Sequence, residues 1–137
     1  MRCPACGSRM TAISSCSSCG AGRDTVMNEL VRKVVAESRG SVEGCMLISE
    51  EGLVLAHNPV AGYEPYVAAA ASAIGAAANA MAEVIGSENE ITRIDLRLGD
   101  GSVIAVIPLP GMYLAVKTSR RPNLGMVKIV LDRLLGP

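Results

Sequence analysis

Aromatic side chains are scarce in this sequence, which contains no phenylalanine and no tryptophan. Its aromatic residues are three tyrosines, Tyr63, Tyr66 and Tyr113. Proteins that bind single-stranded nucleic acid stack bases on aromatic rings, so the composition argues against that class of function. Half of the 137 residues are nevertheless apolar, and a chain of this length with so many aliphatic side chains can form a core of ordinary size.

A charge excess of either sign is also missing, because 13 lysines and arginines balance 13 acidic residues. The balance is uneven along the chain. Arg2, Arg9 and Arg23 stand among the first 23 residues without an acid, which leaves a formal charge of −3 on the remainder. The sequence starts without the apolar segment of a secretory signal, and we therefore expect a cytoplasmic protein.

Motifs of the common enzyme classes are absent as well. There is no GxxxxGK(S/T) phosphate loop, no nucleophile elbow, and no pair of carboxylates next to the single histidine, His57. The glycine-rich segment 99–101 is explained by a hairpin turn. The sequence therefore predicts no enzymatic activity, and we interpret His57 as a residue at the end of a strand.

Four of the five cysteines form the strongest motif. Cys3 and Cys6, and then Cys16 and Cys19, make two CxxC pairs with nine residues between them, and a glycine follows each pair. Two such turns can present four thiolates to one tetrahedral ion, and a structural Zn²⁺ supplies about 10–16 kcal/mol to a segment with few large apolar residues. Four cysteine ligands leave no open coordination position, so the predicted zinc is structural rather than catalytic.

Other uses of the cysteines fit less well. A thioredoxin-like redox pair lacks its βαβ pattern here, and disulfides would be unstable in the cytosol, whereas iron remains an alternative to zinc. Cys45, within a predicted strand, is interpreted as a buried thiol that acts as a small apolar residue.

The segment from Arg2 to Gly22 resembles the zinc-ribbon modules through CPACG and CSSCG. That resemblance implies a bound metal but does not indicate a particular function, because such modules contact nucleic acid and protein alike. Four thiolates with Zn²⁺ carry about −2, which offsets most of the arginine charge, so the module lacks the excess of a phosphate-binding patch. We assign residues 1–22 to this module and expect the rest of the chain to fold without it.

The pattern of helix and strand signals predicts a second domain over residues 24–137. A helix capped by Asp24 or Thr25 is followed by a hairpin that turns at 51–52, a long helix, three strands, and a last helix opened by Pro122. We expect strands at 42–49, 53–56, 94–98, 103–107 and 112–117. The order α-β-β-α-β-β-β-α with antiparallel hairpins predicts an α+β domain in which helices cover one five-stranded antiparallel sheet.

The middle helix, from Pro65 to Ile85, consists largely of alanine and has two different faces. At 100° per residue, Val67, Ile74, Met81 and Ile85 share one stripe, which we expect to bury first. The opposite face carries small side chains, which let another helix approach closely, and we interpret it as a contact surface. The members of this small-residue face are Ala68, Ala69, Ser72, Ala73, Ala76, Asn79 and Ala80.

Two other interpretations of this helix stay open. A transmembrane span is long enough but has too few strongly apolar residues, so we expect no membrane span. The alanines could also reflect helix propensity alone.

The second domain resembles the Roadblock/dynein light-chain domain family over about residues 24–135. The resemblance rests on the order of the elements, the hairpin with VEGCMLI and EGLV, the alanine-rich middle helix, and RPNLG before the last helix. It implies the strand order 2-1-5-4-3, with the first and last helices on one face and the middle helix on the other. It also implies a homodimer in which the third strands, near 91–98, pair edge to edge and the middle helices meet. The expected interface residues are Ala69, Ser72, Ala73, Ala76, Ala80, Arg93, Asp95 and Arg97.

Members of that family are non-enzymatic regulators or scaffolds of small Ras-like GTPases, or adaptor subunits, and the resemblance implies the same for this chain. Tyr63 and Tyr66, beside the small-residue face, are expected to bind the GTPase or a like-folded adaptor protein. The alternative is a nucleic-acid-binding or transcription accessory protein that works through the zinc ribbon and dimerises through the second domain. A purely structural adaptor is a third class.

Overall fold

The structure, a computed structural model, describes residues 1–59, 62–86, 88 and 90–136. Within those residues the helices are α1 (Arg23–Glu37), α2 (Glu64–Val84) and α3 (Leu124–Leu135), and the strands are β1 (Val42–Ser49), β2 (Val54–Asn58), β3 (Ile94–Arg97), β4 (Val103–Leu109) and β5 (Met112–Thr118). The predicted order of elements is confirmed. Strand β2 runs two residues further than expected, and Val60 and Ala61 of the loop after it lie outside the described residues.

The five strands of the described chain form one antiparallel sheet in the order β2-β1-β5-β4-β3. Strand β1 lies in the interior, where Leu47 pairs with Ala56 of β2 and with Leu114 of β5. Strand β4 pairs with β5 on one side and with β3 on the other, so β2 and β3 form the two edges. This strand order confirms the one that the resemblance implies.

The helices cover both faces of the sheet and create two apolar cores. Leu30 of α1 and Val127 of α3 pack with Leu47 and Leu114 on one face. Ile48, the next residue of β1, belongs to the smaller core beneath α2 on the other face. Neighbouring residues of a strand point to opposite faces, which is why one strand supplies both cores.

Helix α2 packs on the sheet through its smallest side chains. Ala68 and Ala71 are buried there. Gly75 lies over the ring of Tyr113 so closely that a Cβ added to the glycine would sit 2.5 Å from the Cε1 atom of the ring. The sequence pattern places Ala68 on the contact surface, but the structure places it in the core.

This packing also corrects the orientation expected for α2. The stripe of Val67, Ile74, Met81 and Ile85 does not bury as a unit, because Val67 and Ile74 are half-buried while Met81 and Ile85 are 69% and 79% exposed. The reason is steric. The Tyr113 ring beneath the helix leaves room for small residues but not for a row of branched ones.

By length and composition, α2 could also cross a membrane, since its most apolar window has a mean hydropathy of 1.4. Only 17% of that window is buried in the fold. One side of the helix nevertheless packs on the sheet, so we treat α2 as part of the α+β domain and its exposed sides as a candidate contact surface.

The N-terminal module packs against the layer formed by α1 and α3. Cys3, Ile13 and Cys16 are buried in the same apolar cluster as residues of α1 and α3. Ile13 also lines a small crevice together with Leu109 of β4 and Leu135 of α3. The expectation that the core of the second domain does not draw on residues 1–22 is therefore wrong.

Candidate functional site

The two CxxC segments of the module fold as matching turns. In each, the glycine after the second cysteine donates its N–H to the carbonyl of the first, over 2.8 Å from Gly7 to Cys3 and 2.9 Å from Gly20 to Cys16. Gly7 and Gly20 have φ angles of +80° and +77°, a region that residues with a Cβ rarely enter. This geometry agrees with the predicted role of the glycines, which is to turn the backbone toward the sulfurs.

The sulfur atoms of Cys3, Cys6, Cys16 and Cys19 converge, and all four lie within 4.8 Å of one another. The Sγ–Sγ distance is 4.0 Å between Cys3 and Cys19 and 3.6 Å between Cys6 and Cys16. A tetrahedron with Zn–S bonds of about 2.3 Å has edges of about 3.8 Å, whereas a disulfide needs about 2.05 Å. The structure therefore brings the four predicted ligands together as free thiols that fit one tetrahedral metal ion.

Hydrogen bonds with nearby residues lower the pKa values of these thiols, whereas a neighbouring cysteine sulfur can raise them. The hydroxyl of Ser8, 3.3 Å from the Cys6 sulfur, and the Ser8 backbone lower the pKa of Cys6 to about 6. The backbone of Ala21 lowers the pKa of Cys19, but the neighbouring Cys6 sulfur and desolvation outweigh it and raise that pKa to about 11. A divalent cation would offset the repulsion between neighbouring thiolates because it stabilises all four at once. Its binding would release protons.

The fifth cysteine lies outside this cluster. Cys45 is buried in β1, and burial raises the pKa of its thiol. Its interpretation as a small apolar core residue is confirmed.

A buried glutamate beside His57 has no counterpart in the sequence pattern. Glu64, at the start of α2, is buried and accepts a hydrogen bond of 2.8 Å from the Gly62 N–H. Its Oε1 atom lies 3.9 Å from Nδ1 of His57, beyond hydrogen-bond distance. The position of Glu64 just before Pro65 could have indicated it, since the first turn of a helix favours a carboxylate. His57 itself is the penultimate residue of β2, so its interpretation as a strand-end residue is confirmed.

The candidate dimer surface begins at β3. Ile94 and Leu96 of β3 pair with Val106 and Ile104 of β4, while no described strand pairs with the outer side of β3. An edge with unpaired N–H and C=O groups is a template for another strand.

The three charged residues predicted for the dimer interface lie on or next to this edge. Arg93 forms an ion pair of 2.6 Å with Asp95, and Asp95 and Arg97 are exposed. Because Asp95 and Arg97 alternate with Ile94 and Leu96, they point to the face opposite α2.

A row of large apolar side chains follows the side of α2 that faces β3. The members of this α2 row are Tyr63, Val67, Ile74, Met81 and Ile85. Tyr63 and Val67 line an apolar cavity of about 280 Å³ together with residues of β1 and β5 and with Ile104 of β4. Val67 and Ile94 of β3 pack against the same small core, which places the row toward β3. Val67 packs against the smaller core, whereas Tyr63, Met81 and Ile85 are exposed, so the ends of the row present apolar surface.

The alanines predicted for the interface lie on other sides of α2. A Cβ added to Gly52, in the β1–β2 turn, would be 2.8 Å from Oγ of Ser72 and 3.3 Å from Cα of Ala69, so these two residues face the β2 edge. The remaining members, Ala73, Ala76 and Ala80, are exposed. The structure therefore does not bring the predicted small residues together with the charged residues of β3.

The two tyrosines predicted to bind a partner are both exposed. Tyr63 is 51% exposed and belongs to the α2 row, whereas Tyr66 is 79% exposed on the outer side of the helix. Tyr66 therefore stays accessible even if another subunit covers the row.

These features define a small α+β interaction domain with an unpaired sheet edge, joined to a four-cysteine module of the kind that holds a metal. The family model of the Roadblock/LC7 domain matches residues 27–118, and the chain belongs to this family. Membership places it with regulatory and adaptor domains. The matched residues include α2 and the whole sheet and exclude the four cysteines of the module and α3.

Solved structures share the fold at low sequence identity. The Roadblock/LC7 domain from Streptomyces avermitilis is 18% identical with a TM-score of 0.71, covering 78% of this chain and 89% of that one. MglB of Myxococcus xanthus is 15% identical with a TM-score of 0.68, covering 79% and 80%. The gliding protein MglB of Thermus thermophilus is 21% identical with a TM-score of 0.63, covering 77% and 80%. Comparison with curated proteins finds no match.

Proposed function

We propose that the chain is a non-enzymatic homodimer that regulates or scaffolds a small Ras-like GTPase, or a like-folded adaptor, in the cytoplasm. The observation that carries this proposal is the exposed α2 row beside the unpaired edge of β3. The family resemblance supplies the class of partner. Tyr66 lies outside the row and supplies an exposed aromatic anchor for that partner, with Tyr63 beside it at the end of the row.

The spacing of the α2 row suits a contact between two copies of the chain. Val67 and Met81 lie seven residues before and after Ile74, and Tyr63 and Ile85 lie eleven residues before and after it. A two-fold axis near Ile74 would therefore match each end of the row with the other end of the same row in the second copy, as an isologous dimer requires. An axis perpendicular to the sheet would also run the two β3 strands antiparallel, a direction in which edges can pair.

Replacing both tyrosines tests the partner surface. The double variant Tyr63→Ala, Tyr66→Ala should bind a small Ras-like GTPase, loaded with a GTP analogue, about tenfold more weakly, because aromatic anchors dominate interface energies. Calorimetric titration measures the affinity, and sedimentation of the same sample shows whether the dimer persists.

The matched control removes two exposed apolar side chains from α3, on the other face of the sheet. Leu124→Ala, Ile129→Ala should leave the affinity within about twofold, since neither residue lies near α2. Unchanged binding by the tyrosine variant, or an equal loss in both, would count against this surface.

A nucleic-acid function for the module rests on its arginines. Arg2 and Arg9 are exposed and form a short antiparallel bridge. Neutralising several phosphates makes affinity fall by orders of magnitude between about 50 and 200 mM salt. Tight binding of labelled DNA or RNA with that salt dependence, lost in Arg2→Gln, Arg9→Gln, would favour this second candidate over the GTPase.

We also propose that the metal is a structural zinc ion held by Cys3, Cys6, Cys16 and Cys19. Protein purified without added metal should contain about one equivalent of zinc per chain by elemental analysis. Cys45→Ala should keep the full amount, since Cys45 lies in the core of the sheet. Iron in place of zinc would change the metal but keep the site, whereas less than about half an equivalent of zinc with no iron would rule the site out.

A further inference from the structure

A cleft at one end of the sheet has a chemistry that the proposed dimer and GTPase surfaces do not use. It lies between the C-terminal half of α2 and the β4–β5 hairpin, with a volume of about 640 Å³. Ile91, Pro108 and Leu109 supply apolar walls, and all three are half-buried. A ligand that fills this cleft must therefore bring apolar groups to it.

The charged residues that line the cleft have a single sign. Residues 40–92 contain seven glutamates and neither lysine nor arginine. Glu83, Glu88 and Glu90 line the cleft, are exposed, and form no ion pair with any described residue. The neighbouring β1–β2 turn adds Glu50 and Glu51, which are likewise exposed.

The position of that turn follows from the sheet. Ser49, the last residue of β1, pairs with Met112, the first residue of β5, so the β1–β2 turn lies beside the β4–β5 hairpin. All five exposed glutamates therefore belong to the same end of the sheet.

The C-terminus of α2 adds to this negative potential. The last turn of a helix carries about half a negative charge from its carbonyls. No basic residue stands in the last turn of α2 to offset it. The helix end and the carboxylates together attract an extended cationic group rather than an anion.

Smaller and oppositely charged ligands do not suit this cleft. Within the part of the chain that the structure describes, the module cysteines are the group in which three or more metal-type ligands meet, so the glutamates do not chelate a common ion. Nucleic acids and anionic lipids would be repelled by the carboxylates. Apolar walls under an acidic rim instead match a protein segment that presents both kinds of side chain.

We propose that this cleft docks a segment of another protein in which apolar residues alternate with lysines or arginines, as in an amphipathic basic helix or tail. The apolar side chains contact Ile91, Pro108 and Leu109, and the cationic ones reach the glutamates of the rim. This docking site goes beyond the proposed GTPase surface and does not depend on Tyr63 or Tyr66.

The test uses the full chain and a synthetic amphipathic leucine–lysine peptide as the probe. In the triple variant Glu83→Gln, Glu88→Gln, Glu90→Gln, the Kd measured by calorimetry should rise about tenfold, because several exposed charge pairs are lost together. In the unaltered protein, amide chemical-shift changes on peptide addition should centre on Ile91 and Leu109.

A charge-matched control separates the site from general attraction. Asp24→Asn, Glu29→Gln, Glu37→Gln removes the same number of negative charges from α1, on the opposite face of the sheet. Its Kd should stay within about twofold of the unaltered protein. An equal rise in both variants, or shift changes centred elsewhere, would overturn the docking site. Sedimentation and GTPase binding of the same samples test the proposed function separately.

Discussion

Removing the proposed metal from the Cys3, Cys6, Cys16 and Cys19 cluster should lower the midpoint of thermal unfolding of the whole chain by about 10 °C or more. Ile13 of the module is buried in the same core as α1 and α3, so loosening the module opens that core. A structural zinc contributes about 10–16 kcal/mol to its segment, and each kcal/mol lost shifts the midpoint by about 2–8 °C. Circular dichroism with and without a chelator should show one cooperative transition that moves.

Two single substitutions show whether the effect belongs to the metal. Cys19 is an exposed ligand, and Cys19→Ser should lower the midpoint similarly and abolish the response to chelator. Cys45→Ala, which leaves all four ligands in place, should keep that response. Two separate transitions, with the main one unmoved by chelator, would mean that residues 24–137 are stable without the module.

Met81→Glu should dissociate the homodimer, whereas Ala76→Glu should leave it intact. Met81 is 69% exposed in the single subunit, so the substitution costs little there. In the proposed pairing of α2 rows it would bury an unpaired charge, which costs several kcal/mol. Ala76 is also exposed but lies about 140° around the helix from Met81. Sedimentation velocity at micromolar concentration measures both variants.

The comparison distinguishes the two surfaces of α2. Dissociation by Ala76→Glu alone would restore the small-residue face as the interface that the sequence pattern indicates. Resistance to both substitutions would leave the pairing of β3 edges as the whole contact. The thermal midpoint should not change in either variant beyond the effect of dissociation, because both positions are exposed.

The order of the elements and the cysteine cluster could be predicted because their signals are local. Turn residues and apolar periodicity are signals that extend over a few residues, and they are sufficient to predict the strands and helices. The four cysteines lie close together in sequence, so their spacing alone indicates a common ion. The strand order came from the family resemblance, and the structure confirms it.

The face of α2 that packs on the sheet could not be predicted from the residues of the helix alone. The most apolar stripe of an isolated helix is the natural choice for burial, and Met81 and Ile85 belong to it. The buried face is determined instead by the ring of Tyr113, a residue of β5 that lies against Gly75 only in the folded chain. The burial of Ile13 could not be predicted for the same reason, because α3, which belongs to the layer that buries it, is distant in sequence.

The packing of residues 1–22 against α3 also sets the order in which the chain can fold. The proposed metal ligands lie between Cys3 and Cys19, so the cluster can close as soon as that short segment is available. Ile13 and Leu135 line the same crevice, and β1 pairs with β5, so both arrangements join distant parts of the sequence. Such non-local contacts close slowly. During synthesis the cysteine module and the contact of α1 with β1 and β2 can form early, while the part of this core that α3 covers stays open until α3 has emerged, and in that interval the nascent chain exposes apolar surface that favours aggregation.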